Sequence, residues 1–518
     1  MGRYKIVSVL LSLFFCSFLA AQQSSEFEQW KKQNQTQFQQ YVSEQDKAFS
    51  SFLKQKWVKA DVTVEHKKPE QPKLPTAPIA PIKKSEQTAP EQKQPELKTP
   101  IQRTQALPEL EFEQEPVIEH ALKSKTAPKA KTNTAAETKG KNTHEPLKPL
   151  NGQAIQITFL GHTLSLPKSN IKPFRLNQPN GQAISDAWLT MSQSNSADIV
   201  NALQDHQQQL NLDDWGIALL VHEYVKKYQT NDSKTSVLQS WFYLVKLGLN
   251  ARIAYNDTRL FLLLNTNHSL YAQKYFSFGA QKFYFVDFSG ADLPRLTKVS
   301  TYQKQHQSAV TPVSIDLAKM PTLPNIKGGD VKRNLAFNYN GEQFRFDVDY
   351  HSAYIEFLSH YPQVDVKHYF ATQLSDATQQ SLLTPLAEII KGRSEIDSLN
   401  ILLRFVQKAL AYQTDDQQFN KEKFMFATEA LHFPYADCED RSVLFSYLVQ
   451  QLMGNTIIGV LYKGHIATAV KVESDFDGAH YSVNGEKYFV ADPTYIGADL
   501  GEVMPGYESQ APKMIRVN

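Results

Sequence analysis

Residues 437–454 read DCEDRSVLFSYLVQQLMG. Asp437 is a good helix N-cap, and Val443, Leu444, Tyr447, Leu448 and Leu452 recur at helical spacing until Gly454 breaks the run. Cys438 therefore falls in the first turn of an apolar helix. Amides at a helix N-terminus favour negative charge and bias a thiol towards thiolate. Glu439 and Asp440 oppose that bias and Arg441 partly offsets them, so the sulfur needs a basic partner. YKGHIATAVKV (462–472) supplies one: Lys463-Gly464 turns the chain and His465 begins a strand. NGEKYFVADPTY (484–495) adds a hairpin turn at Asn484-Gly485 and a strand that reaches Asp492. A cysteine on a helix start, with histidine and aspartate on neighbouring strands, lets an imidazole meet sulfur on one side and carboxylate on the other. A lone histidine is usually structural, and the order of the three residues is what singles out His465. His480 is the rival, but it stands beside the Asp477-Gly478 turn rather than at a strand start.

An upstream stretch repeats the same order of elements. IQITFLGHTLSL (155–166) and LAFNYNGEQFRF (335–346) both alternate apolar and polar residues around a glycine, as a hairpin does. Helical patterns follow in each, ending in LLVHEYVKKYQTND (219–232) and LLRFVQKALAYQTDD (402–416). SVLQSWFYLVKLGLNARIAY (236–255) then matches SVLFSYLVQQLMGNTIIGVLY (442–462), and both units close on a strand ending in aspartate, Asp287 and Asp492. Two copies of one unit are expected, over residues 151–325 and 326–518. An ungapped alignment sets Asp232 opposite Cys438, and NDTRLFLLL has no histidine opposite His465, so the first copy cannot perform thiol chemistry. It also lacks a counterpart of FNKEKFMFATEALHFPYA (419–436), an aromatic insertion expected either to wall a substrate cleft or to pack.

The second copy resembles the transglutaminase-like superfamily of papain-like thiol enzymes, through DCEDRSVLFSYLVQQLMG, GHIATAV and YFVADPTY. The resemblance spans about residues 398–501. It implies an α+β fold of tandem transglutaminase-like domains, with the cysteine helix packed on an antiparallel sheet. It implies Cys438 as nucleophile, His465 as base and Asp492 as orienting acid. Members of the superfamily crosslink proteins or resemble peptidases and amidases. The Cys438 amide is the obvious oxyanion donor.

MGRYKIVSVLLSLFFCSFLAAQQ has the basic start, apolar stretch and small-residue end of a secretory signal, so residues 1–21 are expected to be removed with Cys16. Export to the periplasm or cell envelope follows, with Cys438 as the only remaining thiol. In an exported chain, an odd cysteine suggests reactivity or pairing with another chain. Phe27, Phe38 and Phe49, with Trp30, Tyr41 and Phe52, recur every eleven residues, which keeps them on one helix face. An aromatic-striped docking helix is expected over residues 22–64, fit for an envelope protein partner. Half of the 26 prolines lie between residues 65 and 150. That segment reads as a disordered tether about 50 Å long.

The 518 residues carry a net charge of +2, which argues against nucleic acid as the main partner. No segment beyond the signal is apolar for long enough to span a membrane. Cysteine and histidine never pair at metal-ligand spacing, so no metal or cofactor is expected. The residues fit a thiol acyl-transfer enzyme acting on a protein or peptide, with water or an amine resolving the acyl-enzyme. They also fit an envelope scaffold with a relic triad. Oligomeric state is left open.

Overall fold

The structure is a computed structural model that describes residues 40–55, 57–65, 76–81, 153–228, 233–290, 293–306, 310–316, 320–322 and 330–517, with isolated positions between. The signal segment, Asp232 and most of the tether lie outside the described residues. The fold opens with a helix over residues 40–53 (α1), then β1 (Val58–Asp61) and β2 (Thr63–Val64). The first copy contains β3 (Ala154–Phe159), β4 (His162–Pro167), α2 (Gly181–Ser192), α3 (Ser196–Gln209), α4 (Asp214–Lys226) and α5 (Ser233–Lys246). Its sheet follows as β5 (Ala251–Tyr255), β6 (Leu260–Asn265), β7 (Lys274–Phe278), β8 (Gln281–Val286) and β9 (Lys298–Thr301). The second copy begins with β10 (Val331–Tyr339), β11 (Glu342–Tyr350), α6 (Ser352–Ser359), α7 (Asp376–Ile390) and α8 (Glu395–Ala409). Then come α9 (Asp415–Phe419), α10 (Ala427–His432), α11 (Cys438–Met453), β12 (Ile457–Tyr462), β13 (His465–Val470), β14 (His480–Val483), β15 (Glu486–Ala491) and β16 (Lys513–Arg516).

This is an α+β fold built on antiparallel sheets, and its halves share one connectivity. A two-stranded hairpin leads each half, β3–β4 or β10–β11. Five strands then run in the order β9-β5-β6-β8-β7 or β16-β12-β13-β15-β14. α5 packs on β5 and β6 as α11 packs on β12 and β13. Among the described residues, no helix is long and apolar enough to cross a membrane.

The segment before the first copy corrects two expectations. Its helix does not run to residue 64, because Val58, Val62, Thr63 and Val64 are β-branched and the chain becomes extended from Trp57. β1 pairs with β9 at one edge of the first sheet and β2 with β7 at the other, so this single stretch closes the sheet on itself. Ala60 joins Phe276, Phe283 and Val299 in the resulting core. The tether likewise is not without structure from residue 65. Ile79 pairs in parallel with Ile496 of the second copy, because Ala80 and Pro78 offer backbone groups that the Ile496 edge can bond. Phe27, Trp30 and Phe38 lie outside the described residues, and the described end of the aromatic stripe docks within the chain. Phe49 lies 4.8 Å from Trp188 and 5.7 Å from Tyr302, ring to ring. Asp46, one turn earlier, accepts from Lys246 at 2.6 Å, His306 at 2.9 Å and the Trp188 indole at 3.2 Å. Tyr41 of the same stripe stays exposed.

Candidate active site

α11 starts where the sequence reading places it. Asp437 is its N-cap, the Asp437 amide donates to Asp440 Oδ2 at 3.2 Å, and Gly454 ends it in the left-handed region at φ 71°. The helix is held on β13 by Ser442 Oγ, which donates to the Ile466 carbonyl at 3.1 Å. β13 begins at His465, directly across the Lys463-Gly464 turn from Tyr462. β15 ends at Ala491 and delivers Asp492. Asp492 Oδ1 accepts the Thr494 and Tyr495 amides at 2.8 and 3.2 Å, which leaves Oδ2 to accept from His465 Nε2 at 2.8 Å.

With Nε2 bonded to a carboxylate, the imidazole lone pair sits on Nδ1. Nδ1 is buried and has no hydrogen-bond partner among the described residues. The next amide along the strand, that of Ile466, points at the Cys438 sulfur. His465 and Asp492 are thus joined, and Cys438 stands against the same strand. Its proton goes elsewhere: Cys438 Sγ donates to Glu439 Oε2 at 3.0 Å.

The expected bias towards thiolate is reversed. Burial, and then the Glu439 and Asp437 carboxylates, push the Cys438 thiol well above its usual range, and the Ile466 amide only eases this. Arg441 is drawn to Asp437 and Asp440 and so offsets them only in part. It is buried among carbonyls, donating to Leu410 at 2.8 Å and Ala436 at 3.0 Å, and burial lowers its pKa to about 10. The sulfur is fully enclosed, at 0% exposed.

Asp415 and Glu422, and their clustering with the carboxylates of the helix start, were not singled out from sequence. Asp415, Asp437 and Asp440 bring oxygens within 4.8 Å of one another, as do Asp415, Glu422 and Glu439. Burial and neighbouring carboxylates push Asp415 up to about 10 and Glu439 to about 8, and burial alone, against the Met425 and Asp437 amides, pushes Asp440 to about 6. Such a set must hold either protons or a hard cation of the calcium or magnesium type. A visible signal existed, since Asp415 and Glu422 belong to or adjoin the insertion that only the second copy has. Of the two expectations for that insertion, packing is the one its aromatics meet. Phe424 and Phe426 are core, packed on Tyr369, whereas Tyr435 is exposed. Its Met425 amide donates to Asp440 Oδ1 at 2.8 Å and so helps set the helix start.

His480 plays no part in the triad, and its Nδ1 donates to the Gly478 carbonyl at 2.9 Å. In the first copy Leu260 pairs with Tyr255 as His465 pairs with Tyr462, so an apolar side chain replaces the imidazole. Asp287 is exposed and accepts from its own Ser289, through the amide at 2.9 Å and the hydroxyl at 2.6 Å. A cleft of about 480 Å³ opens between the copies, lined by Trp215, Tyr271, Asp287, His360 and Glu422 among others. It does not contain Cys438, His465 or Asp492. No family model, curated protein or solved structure matches this chain.

Proposed function

We propose that this chain is an exported thiol acyl-transfer enzyme of transglutaminase-like type, a cysteine peptidase or amidase acting on peptide or isopeptide bonds at the cell envelope. One observation carries the reading. An imidazole oriented by a buried carboxylate keeps its lone pair on a buried, unpartnered nitrogen, one residue from the amide that faces a helix-start sulfur. A sulfur turned from Glu439 to His465 Nδ1 passes its proton there and attacks the substrate carbonyl. The tetrahedral adduct collapses as the imidazolium gives that proton to the leaving amine, and water then cleaves the thioester. Asp492 fixes the tautomer and stabilises the imidazolium. An amine in place of water makes the same chemistry a crosslinking reaction.

A binding scaffold with a relic triad is the second reading, favoured by the raised thiol and its bond to Glu439. Iodoacetamide labelling of Cys438 at neutral pH, read by mass spectrometry, separates the two. Labelling that falls in His465→Ala supports the enzyme; a thiol equally inert in both chains supports the scaffold.

A further inference from the structure

Residues 74–81 read LPTAPIAP, and Leu74 and residues 76–81 among them are described. The Ala80 amide donates to the Ile496 carbonyl at 2.7 Å, and the Ile496 amide donates to the Pro78 carbonyl at 2.9 Å. This is the pairing of a peptide added to an exposed backbone edge. The prolines do not disturb it, because Pro78 contributes only its carbonyl and Ala80 supplies the one N–H required. Ile79 points outward, 46% exposed, while Ala80 is buried with Tyr495, Ala498 and Met504. The small Ala80 side chain is enclosed by that cluster, with the Gly497 turn beside it.

The other end of the segment reaches the chemistry. Tyr412 O–H donates to the Leu74 carbonyl at 2.8 Å, and Leu74 packs on the same cluster as Tyr507. The Tyr507 ring lies 5.1 Å from that of His465. The guanidinium of Arg441, on the first turn of α11 with Cys438, lies 5.3 Å over the Tyr412 ring. The Ile496 edge belongs to the turn that holds Asp492, and Gln407 fixes that turn by donating to the Asp492 and Ala498 carbonyls at 3.1 and 3.0 Å.

We propose that the channel between Tyr412, Tyr507 and the 495–498 turn is the peptide-binding groove of the Cys438 centre. Residues 74–81 are its resident competitor, and its substrates are extended polypeptide segments with a small side chain where Ala80 lies. The word substrate here rests on the thiol-enzyme reading; the groove does not. Because the segment is tied to β2, its effective concentration is high, and a free peptide meets an occupied site. Once Leu74 leaves, the Tyr412 hydroxyl is free to hold the carbonyl of an incoming peptide.

The probe is a fluorescent LPTAPIAP peptide, with binding read by anisotropy on the full chain, on Ala80→Arg, and on a chain with residues 74–81 replaced by Gly/Ser of equal length. An arginine at position 80 would bury its charge among Tyr495, Ala498 and Met504, so both altered chains should bind the peptide at least tenfold more tightly than the parent. Both should also alkylate at Cys438 at least tenfold faster. Equal binding to all three chains, or binding to none, overturns the groove. Repeating the binding in Cys438→Ser, Ala80→Arg reads the groove without the thiol. Intact binding there beside a Cys438 that stays inert in Ala80→Arg refutes the thiol reading alone.

Discussion

The two copies fold the same five-strand order and use it for opposite ends. In the first, the strand position opposite the β-hairpin tyrosine is Leu260, buried at 7% exposure in an apolar core. In the second it is His465, buried beside Asp492. The first copy takes up the N-terminal segment as strands that complete its sheet, and the second takes up the continuation of that segment along a turn next to its thiol. One topology can therefore serve as a packed anchor or as a site, and the choice rests on a few side chains at strand ends.

Substitutions at matched positions test that contrast most severely. Cys438→Ser and His465→Ala should each lower peptide-bond hydrolysis by on the order of 10⁵-fold while the circular dichroism spectrum is kept. At the matched position, Leu260→Ala should leave turnover intact. Equal turnover in the parent and Cys438→Ser would refute the assignment of the nucleophile. The aspartates come next. Asp492→Asn should cost on the order of 10³- to 10⁴-fold through the wrong imidazole tautomer, whereas Asp287→Asn should change neither turnover nor stability by more than about 0.5 kcal/mol.

Third is stability. Leu260→Ala should destabilise the first copy by about 2–5 kcal/mol in denaturant unfolding, because it opens a cavity rather than removing a catalyst.

The smallest effect is in pH, where the carboxyls around α11 and the Asp46 carboxyl of α1 should respond with opposite sign. Asp415, Glu439 and Asp440 are held above their unfolded values, at about 10, 8 and 6. The folded second copy therefore binds more protons than the unfolded chain, and its stability should fall as pH rises from about 5 to 9. Burial raises Asp46 of α1, which docks on the first copy, but His306 and Lys246 outweigh it and hold the carboxyl low. That contribution is present above the unfolded value near 4 and should be lost only as pH falls below it. Calorimetry across this range, with Asp415→Asn flattening the alkaline decline, checks the sign.

Much of the second copy was legible because its signals are local. The Asp437 cap, the apolar face of α11, the Gly454 stop, and the Asn484-Gly485 turn at φ 52° and 78° each depend on residues within a few positions. The strand starting at His465 follows from the turn before it. What local pattern could not give is the state of the sulfur. Whether Cys438 is thiolate or thiol depends on Asp437, Glu439 and their burial together, and burial reverses the helix-terminus effect. Nor could composition show that part of a proline-rich stretch is seated, since a segment too polar to form a core can still bond to an edge that another domain provides.

The succession of elements, the strand start at His465 and the absence of a histidine from the matching position of the first copy were legible in sequence, because turns and alternation act over a few residues. The closure of the first sheet by residues 58–64, the carboxylates gathered at Asp415 and the peptide laid along Ile496 were decided only in three dimensions. Those contacts join residues far apart in the chain, and their energies come from desolvation and backbone pairing that no local pattern encodes.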